Sequence, residues 1–190
     1  MMKRKLSGIF LSLMFTSSVM ANSNWYFDLD FGKPIEDQDV QKRQVANNEI
    51  QSDGTYVWQF IPVTTLDADF DYFAAYVTPI SGSITSIEAV KNYDSLQKCS
   101  LAKSYIETTK LDGFFKQFTK VNIEENKDLP DSKNELDITM FLNNIDDNIL
   151  QVGCIKSTIF PDKHALIISV SSEKLQEKLK DEYTQYLIKN

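Results

Sequence analysis

The densest run of side chains able to do chemistry is Asp67-Ala68-Asp69-Phe70-Asp71, three carboxylates at alternate positions. Hard cations such as calcium take oxygen ligands at this spacing, and an EF-hand loop opening at Asp67 would next need glycine at position 72 and glutamate at position 78. The chain has Tyr72 and Thr78 there. The run therefore reads as a solvated acidic loop, and Asp67, Asp69 and Asp71 remain as candidate ligands of an irregular cation site.

Other reaction types have less material. His164 is the single imidazole. A serine triad would need it as base, and no Gly-x-Ser-x-Gly turn supplies the nucleophile. The neighbouring carboxylates Asp28/Asp30, Glu124/Glu125 and Asp146/Asp147 lie too close along the chain to face each other across a glycosidic bond. The six glycines form no phosphate-cradling loop. No catalytic residue is assigned, and no cofactor is expected.

Cys99 and Cys154 are the only two cysteines. They form no Cys-x-x-Cys, and one histidine cannot complete a zinc set. In an exported chain they pair most simply as one disulfide. Closing a loop of that length stabilises a fold by roughly 4 kcal/mol in the chain-entropy account.

Export is written at the start. Lys3-Arg4-Lys5 precedes an apolar run from Leu6 to Phe15, and Val19 and Ala21 occupy the positions a signal peptidase reads. Residues 1–21 are read as a signal peptide cut after Ala21. The apolar run falls far short of the roughly 20 residues that span a bilayer, so no stable membrane insertion is expected after cleavage. The remaining chain, residues 22–190, is expected to be one exported domain, periplasmic or secreted, with enough apolar material for a single core. The net charge of −7, from 27 acids against 20 bases, drops to −10 once the three basic residues of the leader are gone. That balance excludes a nucleic-acid binder, which needs clustered Lys and Arg, and favours a basic partner surface.

Aromatic residues gather in the first half: Trp25, Tyr26, Tyr56, Trp58, Tyr72, Phe73 and Tyr76. A strand turns alternate side chains outward, and Tyr26, Tyr56 and Tyr76 are the candidates for partner contact.

Hydrophobic periodicity supplies the elements that must position these groups. Alternation predicts strands over 24–31, Tyr56–Ile61 (stopped by Pro62), Tyr72–Thr78 and Ile84–Lys91. Further strands follow over 136–142, 149–158 and Ala165–Val170, the last a continuous apolar run suited to the middle of a sheet. In 72–78, Phe73, Ala75 and Val77 share a face. In 136–142, Leu136, Ile138, Met140 and Leu142 alternate with Asp137, Thr139 and Phe141. A helix capped by Asp94 carries Leu96, Cys99, Ala102 and Ile106 on one stripe, broadened by Leu101 and Tyr105, and ends at Asp112-Gly113. A second starts after Ser171 or Ser172, with Leu175, Leu179, Tyr183, Tyr186 and Leu187 on one side. Residues 33–54 read as a surface excursion with a short helix over 40–47, and 114–134 carry no assignable pattern. The expected fold is α+β: an antiparallel sheet built from two β-β-β-α-like units, with helices packed on one face. The disulfide would tie the first helix to a strand of the second unit.

The function that follows is an exported, non-enzymatic binding protein of the bacterial envelope. It would act by contact with an envelope protein partner or a basic surface, as an inhibitor or immunity-like protein does. Two alternatives stand beside it: a carboxylate-based or calcium-assisted hydrolase, and a carrier of a small apolar ligand.

Overall fold

A computed structural model of the chain describes residues 27–45, 49–62, 70–110, 118–121, 137–143, 148–157 and 160–189. The signal peptide, Trp25, Tyr26, Asp67, Asp69, the Asp112-Gly113 helix end and the Glu124/Glu125 and Asp146/Asp147 pairs lie outside the described residues.

Among the described residues eight strands form one antiparallel sheet: β1 (Gln41–Gln44), β2 (Tyr56–Ile61), β3 (Tyr72–Val77), β4 (Ile84–Tyr93), β5 (Phe118–Val121), β6 (Asp137–Asn143), β7 (Asn148–Lys156) and β8 (His164–Ser172). Their order across the sheet is β1-β2-β3-β4-β8-β7-β6-β5. Helix α1 (Leu96–Tyr105) follows β4, continues into a wider turn over Ile106–Lys110, and packs on β7, β8 and β4. Helix α2 (Glu173–Lys189) follows β8 directly. The architecture is α+β. Among the described residues no helix is long and apolar enough to cross a membrane.

Strand register decides which side chains share a face, because alternate residues point to opposite sides. Cys154, Val152 and Leu150 of β7 stand opposite Leu166, Ile168 and Val170 of β8. Ile168 and Val170 stand opposite Ala89 and Ile87 of β4, which meet Phe73 and Ala75 of β3. Phe73 and Ala75 in turn meet Phe60 and Trp58 of β2. These residues, with Phe27, Leu29 and Ile35, make the core. Each fully buried aliphatic chain here is worth about 1.5–3 kcal/mol relative to water. The Cys99–Cys154 disulfide, with Cα atoms 5.9 Å apart and the two cysteines 55 positions apart in sequence, bonds α1 to this face.

Helix α2 reaches the same set of residues at the other end. Tyr186 meets Tyr56 hydroxyl to hydroxyl at 3.5 Å. Gly54, at φ +88°, lies so close to the Tyr183 ring that a Cβ there would come within 2.6 Å of it. Only glycine satisfies both the backbone angle and the approach.

Several elements differ from the sequence expectation. Residues 27–31 keep the in-out burial of a strand, with Phe27 and Leu29 buried and Asp30 exposed, yet belong to no strand. Phe27 and Asp28 sit at φ 50° and 67°, which bends the chain. The helix expected over 40–47 is replaced by edge strand β1. The α1 cap is Ser95, whose hydroxyl accepts from the Lys98 amide, while Asp94 pairs with the Lys98 ammonium. Leu101 and Tyr105 are exposed instead of broadening the buried stripe, and Lys103 is buried. The unassigned stretch contains β5. In β6 the covered set is Thr139, Phe141 and Asn143, so Ile138, Met140 and Leu142 look outward.

Candidate functional site

On the face of the sheet opposite the disulfide, the part formed by β2, β3 and β4 carries a group of polar and aromatic side chains. Tyr72, Ala74 and Tyr76 leave β3 on this side, because Phe73, Ala75 and Val77 take the other. Glu88 of β4 stands directly across from Ala74 on one side and from Ser169 of β8 on the other. Gln59 of β2 stands across Ala74 from the remaining direction. The four side chains Tyr72, Tyr76, Glu88 and Gln59 thus surround one alanine.

Glu88 is the unusual member. It is half-buried although it lies on the outward side. Burial pushes its carboxyl above the usual glutamate range, and the hydrogen bond from Tyr76 only partly opposes that. The Tyr76 hydroxyl donates to Glu88 Oε2 at 2.7 Å. Its own ionisation is pushed far up, first by burial and then by the Glu88 charge. Tyr72 moves in the same direction for the same causes, with Asp71 adding to them. Among the described residues no lysine or arginine pairs with Glu88. Arg43, the cation nearest in register, gives two hydrogen bonds to Gln59 Oε1 at 2.9 and 2.6 Å.

The residues singled out from sequence fall in different places. Tyr76 is in this cluster. Tyr56 faces α2, and its hydroxyl is raised chiefly by the Tyr186 contact. Asp71 borders the cluster, but its carboxylate is engaged. Oδ2 accepts from the Asn92 amide and side chain at 2.8 and 2.9 Å, and Lys91 lies 3.3 Å from Oδ1. Burial works to raise the Asp71 carboxyl; the Asn92 and Lys91 contacts outweigh it and hold it low. No group of three or more metal-ligating side chains occurs among the described residues. His164 stands between Tyr93 and Lys156 at the start of β8, and its Nδ1 has no hydrogen-bond partner among the described residues. Cys99 and Cys154 are fully buried and bonded to each other.

Sequence reasoning missed Tyr72 and Glu88. The spacing Tyr72-x-Ala74-x-Tyr76 was a readable signal, since it is the complement of the core set in the same strand. Glu88 carried none, because its place between the tyrosines depends on the β3–β4 register.

A separate cleft of about 580 Å³ opens at the end of β1, β2 and β3, lined in equal parts by apolar or aromatic residues such as Phe60, Phe70 and Phe73 and by polar or charged ones such as Lys42, Arg43 and Asp71. It lies beside the tyrosine cluster and shares Tyr72 with it.

No family model matches the chain, and no curated protein or solved structure matches it.

Proposed function

We propose that this chain is an exported, non-enzymatic binding protein of the bacterial envelope, released by cleavage after Ala21, which engages a protein partner through the outward face of its sheet. The observation that carries this reading is the Tyr72–Glu88–Tyr76 cluster. Aromatic side chains with one polar end suit a contact surface, since they bury area at little entropic cost and still hydrogen-bond at the rim. A carboxylate held among them without a cation of its own supplies charge complementarity to a basic partner. A buried disulfide is what an oxidising compartment allows, which supports export. Inhibition or neutralisation of that partner is the mode of action that requires nothing but contact.

We read the sheet as two β-β-β-α-like units, β2-β3-β4-α1 and β6-β7-β8-α2. The support is the strand order, which mirrors itself about the β4–β8 pair, and the way both helices meet residues of one face. One face is then committed to the helices and the other is left to the partner.

The test compares immobilised wild-type protein with a Tyr72→Ala/Tyr76→Ala variant against envelope extract. A species held by the first and lost by the second supports the reading. Equal retention on both, or retention on neither, overturns it. Recovery of the protein from cytosol with its leader uncut overturns the export step.

A second reading, carriage of a small apolar ligand, draws on the cleft, where Phe60, Phe70 and Phe73 line one part and Lys42, Arg43 and Asp71 another. Saturable binding of an apolar fluorophore, abolished by Phe70→Asp, would select it over the first.

A further inference from the structure

We infer that the outward face of β3 and β4 takes an arginine side chain of the partner, its guanidinium seated on Glu88 between Tyr72 and Tyr76. This rests on the reading of that face as the contact surface and names the group recognised there.

The inference starts from a cost. A carboxylate taken out of water is destabilising unless a cation or several donors compensate it. Among the described residues Glu88 has one donor, the Tyr76 hydroxyl on Oε2. The groups facing it from the neighbouring strands are Ala74 and Ser169, both uncharged. Lys91, three residues on, lies against Asp71, and Arg43 is turned to Gln59. The chain thus leaves a half-buried carboxyl without a cation among the described residues. Its carboxyl is held above the usual range, as that arrangement requires.

The surroundings favour arginine over lysine. Tyr72 and Tyr76 are four residues apart on one strand face, roughly 13 Å between Cα atoms, with only alanine between them. Tyr76 leans across that alanine to reach Glu88. A guanidinium is flat and weakly hydrated, stacks on aromatic rings, and offers N–H groups in a fork that a carboxylate accepts. An ammonium keeps a tighter hydration shell and cannot fork.

The probe is the peptide acetyl-Gly-Arg-Gly-amide, titrated into the full mature protein and followed by amide NMR shifts. Its lysine and citrulline counterparts serve as controls. The expected result is saturable shifts confined to residues around Tyr72, Tyr76 and Glu88, with arginine strongest and uncharged citrulline inert. Glu88→Gln should weaken the arginine peptide by roughly tenfold or more, and Tyr72→Ala by a few-fold. Ser169→Lys, which sets a cation across from Glu88 from within the chain, should block binding while leaving the melting transition in place. Equal shifts with citrulline, or unchanged binding in both Glu88→Gln and Ser169→Lys, overturn the inference. Should the arginine peptide fail while an envelope partner still depends on Tyr72 and Tyr76, arginine recognition falls and the contact surface stands. Should the partner ignore the tyrosines as well, both fall.

Discussion

Glu182 is buried and Glu88 half-buried, and the two carboxylates are treated in opposite ways. Glu182 of α2 is buried against the β3–β4 turn, where Oε2 accepts from the Ile80 and Ser81 amides at 3.1 and 2.8 Å and Oε1 from the Ser81 hydroxyl at 2.7 Å. Lys178 lies 3.8 Å away and donates to Ser83, which shares the Ser81 hydroxyl. Among the described residues, Glu88 on the outward face has Tyr76 as its one hydrogen-bond donor. Burial acts to raise both. At Glu182 the Ser81, Thr78 and Ile80 contacts outweigh it and leave the carboxyl low; at Glu88 burial prevails and leaves it high. The turn beneath α2 meets its carboxylate with three donors, whereas among the described residues the outward face meets Glu88 with one.

The covered side can be broken most severely at its crosslink. Replacing both cysteines, Cys99→Ser and Cys154→Ser, frees a loop of 55 residues and should cost about 4 kcal/mol of stability. The loss is read as a lower midpoint in urea under oxidising conditions. Because the bond joins α1 to β7 on the far side of the sheet, partner binding by the fraction still folded should be unchanged. Loss of binding without loss of stability would break the separation between the two faces.

Next in size is the Glu182 clamp. Glu182→Ala leaves the Ile80 and Ser81 amides and a serine hydroxyl without their acceptor, at a cost of about 2 kcal/mol for the orphaned groups. Thermal unfolding should register it, with α2 losing hydrogen-exchange protection before the sheet does. A variant as stable as the wild type would show that the clamp is no more than decoration.

Legibility from sequence followed the same division. Strands β2, β3, β4, β7 and β8 were readable because one face is continuously buried, and burial writes period-two alternation into the chain. The central place of β8 came from its unbroken apolar run, and the disulfide from there being two cysteines in a chain read as exported. Edge strand β1, Gln-Lys-Arg-Gln, is paired on one side only and buries no alternate row, so it carried no strand signal. The alternation of 27–31 was real but came from a bent segment packed on the core. In β6 the outward row Ile138, Met140 and Leu142 is as apolar as a core row, so composition could not choose the face; the pairing of Phe141 with Leu150 does. Lys103 reads as a surface charge until β6 brings Asp137 to its ammonium. Tyr76 was visible as an outward candidate. Glu88 was not, since its significance lies in having been placed beside Tyr76 by strand register.

The smallest effect on stability, and the sharpest on the comparison, is expected from Glu88→Gln. The amide keeps an acceptor for the Tyr76 hydroxyl and discards a charge that burial disfavours, so the variant should be as stable as the wild type or more stable, within about 1 kcal/mol. The pH dependence separates the two sites by sign. Glu88 has its folded-state carboxyl above the ordinary 4.5. The folded chain therefore binds that proton more tightly than the unfolded chain does, and stability falls as pH rises from about 4.5 through the raised value. Glu182 lies below 4.5 when folded. Its contribution is complete above that value and is lost as pH falls through the lowered one. Urea titrations from pH 3 to pH 8 should then show Glu88→Gln gaining on the wild type at the alkaline end and converging with it toward pH 4, whereas Glu182→Gln should lose most above pH 5 and converge at the acid end. Parallel profiles would mean that the two carboxylates occupy equivalent environments, and the case for an external cation at Glu88 would lose its physical ground.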